Sequence, residues 1–410
     1  MAFRNLQRTG DQALVREINL SLILDSLRKN APQSRAALAD LTGLNKTTVS
    51  SLIRELIDRN FVREVGLKSG STGRPGRLLD LNPAAGYIVT CEIGVDFISI
   101  LCTDFAPEII WRHHENIKPE MGQQLILDHV LALLIQAEAE GAATGGSLLG
   151  VAVGVPGLVD QTSGILLFAP NLAWKDVPLR KVLEESFDAP IIVDNEARMA
   201  ALGEHYFGAA AGYDEVLYIS VGVGLGGGIV HNGRMFRGAS GTGTEFGHMT
   251  MDPDGEPCNC GNRGCWETQV SQSALFRFVG EALNGRKNGS ALADISALTV
   301  QKIVDAADSG DKVALSALNK VGHNLGIGIA SLVNALNPKL VVFGGVLSLG
   351  SDYLLPVVEE ELEKRALSWN RRASRVVSAH HGIDACVIGG VATVYQAILV
   401  DPGRIRTQMI

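Results

Sequence analysis

One short stretch concentrates more chemistry than any other part of this 410-residue chain: His248, then Cys258-Asn259-Cys260-Gly261-Asn262-Arg263-Gly264-Cys265. Three thiols and one imidazole make a complete tetrahedral zinc set. With all four positions filled by protein, no site remains for an activated water, so the expected cofactor is structural Zn2+ held by His248, Cys258, Cys260 and Cys265. Gly261 and Gly264 let the backbone wrap tightly between ligands. The plain alternative is three free thiols in a reducing cytosol. A redox pair fits less well, because the C-x-C and C-x4-C spacings are not C-x-x-C. Cys91, Cys102 and Cys386 stand alone in apolar surroundings and read as core residues. Six cysteines in a chain of this length do not form a disulfide scaffold.

A second kind of chemistry lies near the N-terminus. Ile18, Leu22, Ile23 and Leu27 recur at helical spacing over 17–28. Ser34 caps a second expected helix over 34–41, and Gly43 suits a left-handed turn. Asn45 then caps a third helix, which buries Val49, Leu52, Ile53, Leu56 and Ile57. Its outward residues are Lys46, Thr47, Thr48, Ser50, Ser51 and Arg54, polar and free of acids. This is the arrangement of a helix-turn-helix, whose second helix enters the major groove with Lys on phosphate and hydroxyls on base edges. Strands over 61–65 and 78–81 enclose a Gly-rich connection with Lys68 and Arg74, and Arg77 follows it. That connection reads as a wing touching backbone or minor groove.

Charge supports the division. Residues 1–82 hold 13 Lys/Arg and 8 Asp/Glu, whereas the remainder holds 23 and 36. A basic module on an acidic body fits a DNA-binding domain joined to a domain that binds something else. No uninterrupted apolar run reaches the ~18 residues of a membrane helix, and charges scattered through the first twenty residues exclude a secretory h-region. The expected location is the cytoplasm, at the nucleoid.

Within the body, strands over 87–93 and 97–103 turn at Gly94. A similar pattern recurs as a strand over 215–221, a Gly-rich turn over 222–228, and a strand over 229–231. Two such hairpins, each followed by helix-forming sequence, suggest a duplicated α/β lobe with a ligand cleft between the copies.

At this point a family resemblance becomes specific. CNCGNRGCWE (258–267) is similar to the C-x-C-G-x-x-G-C-x-E signature of the ROK family of repressors and sugar kinases, and Glu245-Phe246-Gly247-His248 resembles its E-x-G-H signature. VGVPGLVD, APNLAW, VDNEARMAALGE, SVGVGLGGGIV and LVVFGGVLS follow in family order, so the resemblance spans about 83–400. The winged helix places the chain beside the NagC/Mlc/XylR-like repressor branch. The resemblance implies an α/β fold: a winged helix-turn-helix (1–82) followed by a two-lobed, actin-like (ribonuclease-H-like) body. The first lobe is 83–196 plus 390–410. The second is 197–389, with the zinc loop and the expected dimer surface. It also implies sugar contacts by Asn171, Asn195, Glu196, Glu245, His248 and Glu267. Amides and paired carboxylates suit vicinal hydroxyls, which both donate and accept.

The phosphate side departs from the kinase members. Their D-x-G-G-T loop is Glu92-Ile93-Gly94-Val95-Asp96 here, which puts a side chain and a carboxylate where phosphate would approach. Val223 replaces a Thr of the second loop, and Arg198 replaces the final Asn of N-D-A-N. Glu196 takes the place of the catalytic Asp and is at most a vestigial base. Phosphoryl transfer relies on positioning and electrostatics, so no catalysis is expected. The expected function is a sugar-responsive regulator, by default a repressor, of carbohydrate uptake or catabolism genes. Its expected partners are a palindromic double-stranded operator, a small sugar effector, and a second copy in a dimer or dimer of dimers. An active ROK kinase with an added DNA-binding domain is the alternative, and a scaffold docking a transporter protein is another.

Overall fold

The structure is a computed structural model that describes residues 12–67, 76–283, 290–293 and 298–400. Its first unit comprises α1 (Gln12–Asn30), β1 (Gln33–Ser34), α2 (Arg35–Thr42), α3 (Lys46–Asp58), β2 (Val62–Leu67) and β3 (Arg77–Leu81). β1, β3 and β2 form a small sheet, with β3 central. The local signals act as expected. Ser34 Oγ accepts from Ala37 N, Gly43 adopts φ +71°, and Asn45 Oδ1 accepts from Thr48 N at 2.7 Å. On α1 the buried face differs from the expectation. Leu20, Ile23, Leu24 and Leu27 are buried, whereas Ile18 and Leu22 face solvent. The apolar residues occupy more than one side of this helix, and packing against α2 and α3 selects one.

The body holds two five-stranded mixed sheets. The first has the order β11-β7-β4-β5-β6. Its strands are β4 (Tyr87–Ile93), β5 (Phe97–Asp104), β6 (Ile109–Asn116), β7 (Leu148–Val155) and β11 (Ile191–Asn195), with α4 (Gln123–Ala142) packed on one face. Between β7 and β11 lie the small sheet β8 (Leu158–Asp160), β9 (Ile165–Ala169) and β10 (Trp174–Val177), and then α5 (Leu179–Glu184). After β11 comes α6 (Glu196–Phe207).

The second sheet has the order β14-β13-β12-β15-β16, from β12 (Glu215–Val221), β13 (Leu225–His231), β14 (Arg234–Met235), β15 (Leu340–Gly344) and β16 (Arg375–Ser378). Its helices are α7 (Glu267–Val270), α8 (Gln272–Leu283), α9 (Val300–Asp308), α10 (Lys312–Leu336), α11 (Ser351–Arg365) and α12 (Ser368–Ala373). The turn expected over 222–228 is shorter: Gly226, Gly227 and Gly228 are strand residues paired with β12. Their missing side chains admit close neighbours. A Cβ on Gly226 or Gly228 would lie 2.8 or 2.6 Å from Ala197 or Ala201 of α6, and one on Gly227 would lie 2.5 Å from Phe246.

The chain returns as α13 (Ala385–Val400), five residues earlier than the expected start at Gly390. Val391, Ala392, Val394 and Ile398 are buried as expected, but Ala397 is exposed. Gly382–Leu399 has the length and hydropathy of a membrane span by composition, contrary to the absence expected. It is instead 61% buried inside the protein, packed against α6 and the first sheet.

One core runs unbroken from the N-terminal unit into the body. Phe61 meets Phe105 at 5.1 Å between ring centroids, Phe105 stacks on Tyr395 at 4.9 Å, and Tyr395 meets Phe207 at 6.0 Å. Arg28 of α1 donates to Tyr206 O at 2.7 Å and lies 4.2 Å above the Tyr206 ring. Ser21 Oγ also donates to Leu399 O. The end of α6 is therefore clamped to the N-terminal unit.

Candidate functional site

The four expected zinc ligands converge. The ligand atoms of His248, Cys258, Cys260 and Cys265 all lie within 4.8 Å of one another. Cys258 Sγ is 3.7 Å from His248 Nδ1, and Cys260 Sγ is 3.7 Å from Cys265 Sγ. A zinc tetrahedron with ~2.3 Å Zn–S bonds has S···S edges of ~3.8 Å, so the donor set fits that ion in both chemistry and spacing. The loop is bound to the fold on both sides. Trp266 is fully buried and donates from Nε1 to Asn324 O on α10 at 3.0 Å. Gly264 has φ +62°, and a Cβ there would lie 1.4 Å from Asp252 O. No side chain fits against that backbone. Gly264→Ala is accordingly expected to abolish stoichiometric zinc, and atomic emission on purified protein reads the loss directly.

Beside the metal ligands, Glu267 begins α7, with Oε1 2.9 Å from Cys258 Sγ and Oε2 accepting from Leu225 N at 3.3 Å. Asn171 reaches the same place from the small sheet. A Cβ on Gly224 would lie 2.9 Å from Glu267 Oε2 and 3.1 Å from Asn171 Nδ2. Glycine at 224 thus lets both groups pack closely against its bare backbone. The sequence offered no sign of one further contact: Asn259, between two zinc ligands, donates to Asn171 Oδ1 at 2.8 Å. The zinc loop is thereby tied across to the first half of the body. Position 259 itself marked the residue as rigidly held, but nothing marked its partner.

Asn195 serves the backbone. Its Oδ1 caps α6, accepting from Ala197 N and Arg198 N at 3.0 and 3.1 Å, and its Nδ2 donates to Glu196 Oε2 at 2.6 Å and to Gly157 O. Glu196 faces the buried Glu92, which sequence reasoning treated only as part of a loop motif. Burial, reinforced by their mutual repulsion at Glu196, pushes each carboxyl up to about 8. A folded-state value above the unfolded one means stability that is complete below ~pH 4.5 and lost as pH rises through about 8. Glu196→Gln should therefore melt close to wild type at ~pH 5 and distinctly higher at ~pH 9. Thermal unfolding at both values checks the sign.

Glu245 completes the set. The residue before it, Thr244, is β-branched at φ +75°, a strained conformation for such a side chain. It is held there by an Oγ1 hydrogen bond to Gly227 O at 2.9 Å. Burial raises the Glu245 carboxyl, opposed by the neighbouring Arg198.

At the DNA-binding unit, Asn45, Lys46, Thr47, Ser51 and Arg54 are exposed on one end and face of α3, with Thr48 and Ser50 half-buried. Ser50 Oγ is spent on Lys46 O at 2.8 Å. Arg77 pairs with Glu64, which Arg35 also meets at 3.0 Å, so two guanidiniums share one carboxylate and the cluster stays net positive. Lys68 and Arg74 lie outside the described residues.

A winged-helix DNA-binding unit clamped to a two-lobed body with a Cys3His loop defines a class: regulators built on a sugar-kinase fold. Comparison with known proteins gives the family. The ROK family profile matches residues 88–397, and a winged helix-turn-helix DNA-binding profile matches residues 16–63. The xylose repressor of Bacillus subtilis (strain 168) is 34% identical over 383 residues, 93% of this chain and 95% of that protein. A crystal structure of a ROK family transcriptional regulator, a homologue of the E. coli MLC protein, superposes with a TM-score of 0.81 at 27% identity. It covers 96% of this chain and 98% of that one. A ROK family glucokinase from Streptomyces griseus, solved with glucose and AMPPNP, gives a TM-score of 0.69 at 31% identity, covering 76% and 100%. The chain belongs to the ROK family, and its full-length likeness is to transcriptional regulators that carry the same N-terminal unit.

Proposed function

We propose that this protein is a cytoplasmic transcriptional repressor that a free aldopentose, D-xylose first among them, releases from a palindromic operator. The observation that carries the reading is the convergence of Asn171 and Glu267 on the bare backbone of Gly224, where a Cβ would lie 3.1 and 2.9 Å from them, beside the candidate metal loop whose Cys258 contacts Glu267. An amide and a carboxylate converging there offer the donors and acceptors that vicinal hydroxyls need. The xylose repressor likeness supplies the sugar. Asn195, Glu196, Glu245 and His248 complete the proposed pocket. We divide the chain at 82/83 and 196/197, with 390–410 returned to the first lobe.

The phosphate side supports a sensor. Asp96 is exposed at the tip of the β4–β5 turn with Val95 beside it, and Val223 sits in the second turn. Glu196 stands where the kinase members carry an Asp, so its carboxyl sits one methylene further out. Two recognition helices in a dimer would read half-sites ~34 Å apart. Lys46, Thr47, Thr48, Ser51 and Arg54 are the proposed reading residues, with Arg77 and the wing in support.

Sugar acts on DNA only if it prefers one pose of the winged helices, and a 100-fold change in operator affinity needs ~2.7 kcal/mol of coupling. α6 spans that distance, with Asn195 and Glu196 at its start and the Arg28 clamp at its end. Structural Zn2+ would set the loop and take no part in chemistry. The test is operator binding titrated with D-xylose, alongside ATP consumption over a panel of pentoses and hexoses. Release by xylose without turnover is expected. Turnover with any sugar would establish the kinase alternative that the glucokinase likeness keeps in view.

A further inference from the structure

The start of α6 holds a buried cation that no phosphate or sugar motif requires. Arg198, in the first turn of α6, has a side chain with 0% exposure. Its Nη1 donates to Gly241 O at 2.8 Å and lies 3.5 Å from Asp194 Oδ1, while Nη2 lies 3.4 Å from Glu245 Oε1. Asp194 is already served by Arg237 Nη2 at 2.7 Å and by Asn195 N at 2.9 Å. Among the described residues, the Glu245 carboxylate has no hydrogen-bond partner besides Arg198, and its side chain keeps 31% exposure toward the cleft.

We propose that Arg198 is a positioning residue for Glu245, fixing its carboxylate so that it can accept hydroxyls of the sugar. This rests on the reading of Glu245 as a sugar contact. Packing alone would not demand the residue. A buried guanidinium costs several kcal/mol in desolvation, and an apolar side chain of similar volume fills space more cheaply. The guanidinium instead grips both ends of one short loop, the carbonyl of Gly241 and the carboxylate of Glu245. From the other side, Thr244 anchors the backbone of the same loop on Gly227. The rigid planar fork spans two acceptors at once, and an ammonium cannot reproduce that geometry. Glu245 is thereby held with one oxygen on Arg198 and the rest of the carboxylate turned to the ligand, so little ordering remains for binding to supply.

The experiment is calorimetric titration of D-xylose into full-length wild type, Arg198→Met, Arg198→Lys, Glu245→Gln and the Arg198→Met/Glu245→Gln double variant. Arg198→Met is expected to weaken binding by about 10–100-fold, as loss of an orienting partner commonly does. Arg198→Lys should recover part of the affinity. The double variant should bind no more weakly than Glu245→Gln alone, because an effect that passes through Glu245 vanishes once Glu245 is altered. Additive losses in the double variant would overturn the proposal, as would wild-type affinity in Arg198→Met. If Arg198→Met fails to fold, Arg198→Lys against Glu245→Gln, with its own double variant, provides the same cycle. Wild type that binds no sugar at all would defeat the sugar reading and this inference together. Wild type that binds while the Arg198 variants are indifferent defeats this inference only.

Discussion

Cys265→Ser is expected to empty the metal site and abolish the response to sugar while leaving operator binding in place. Cys265 is fully buried, and its sulfur lies within tetrahedral-edge distance of Cys260. Structural zinc in a four-ligand site contributes folding energy outright, on the order of 10 kcal/mol in small zinc domains. Here a large body surrounds the loop, so the loss should be local. Without the ion, the 258–265 segment keeps its backbone hydrogen bonds but loses the cross-link between its side chains, and both the Asn259–Asn171 tie and the Glu267 carboxylate lose part of their fixed frame. Zinc content should fall from one ion per chain to none, and the xylose-dependent shift in melting temperature should disappear. Among the described residues no hydrogen bond or ion pair joins the winged-helix unit to the loop, so the variant should still retard operator DNA but no longer release it. Equal loss of DNA binding would mean that the metal supports the whole chain and not the pocket alone.

Arg28→Met should uncouple the two functions from the opposite end. The Arg28 side chain is 7% exposed, donates to Tyr206 O, covers the Tyr206 ring and pairs with Asp25 at 2.8 Å. A buried cation–π contact contributes ~2 kcal/mol and a charged hydrogen bond about 1.5–3 kcal/mol. Those sums are comparable to the ~2.7 kcal/mol needed for a 100-fold response. Methionine keeps the packing volume near Phe207 and removes the cation. Sugar affinity and sugar-free operator affinity should both stay within a few-fold of wild type, while the xylose effect on operator affinity shrinks by at least tenfold. Fluorescence anisotropy with labelled operator, with and without xylose, separates these quantities. An undiminished xylose effect would show that the pose is set through the aromatic seam of Phe61, Phe105 and Tyr395 instead.

Much of the site was legible along the chain because covalent spacing alone assembles it. Three of the four candidate metal ligands fall within eight residues, and the helix-turn-helix depends on caps and a glycine turn whose partners sit two to four positions away. Such contacts are made by local backbone geometry whatever surrounds them. The hairpin glycines were visible too, but their state was misassigned. Gly226 to Gly228 look like a turn by composition, and only the close approach of α6 to Gly226 and Gly228, and of Phe246 to Gly227, explains why they must be glycine inside a strand. On α1, alternative apolar stripes were indistinguishable until neighbouring helices chose the one holding Leu20, Ile23, Leu24 and Leu27.

Residue types and short spacings, then, determined the Cys3His cluster, the helix-turn-helix and the family. Tertiary structure decided what those pieces face. Asn171 meets Asn259 across 88 positions, Arg198 meets Glu245 across 47, and Arg28 meets Tyr206 across 178. Each of these pairs joins separate elements, so it exists only after sheets and helices have packed. At the buried Arg28 and Arg198 the energy comes from excluding water around charges brought together by that packing, a quantity no local pattern encodes.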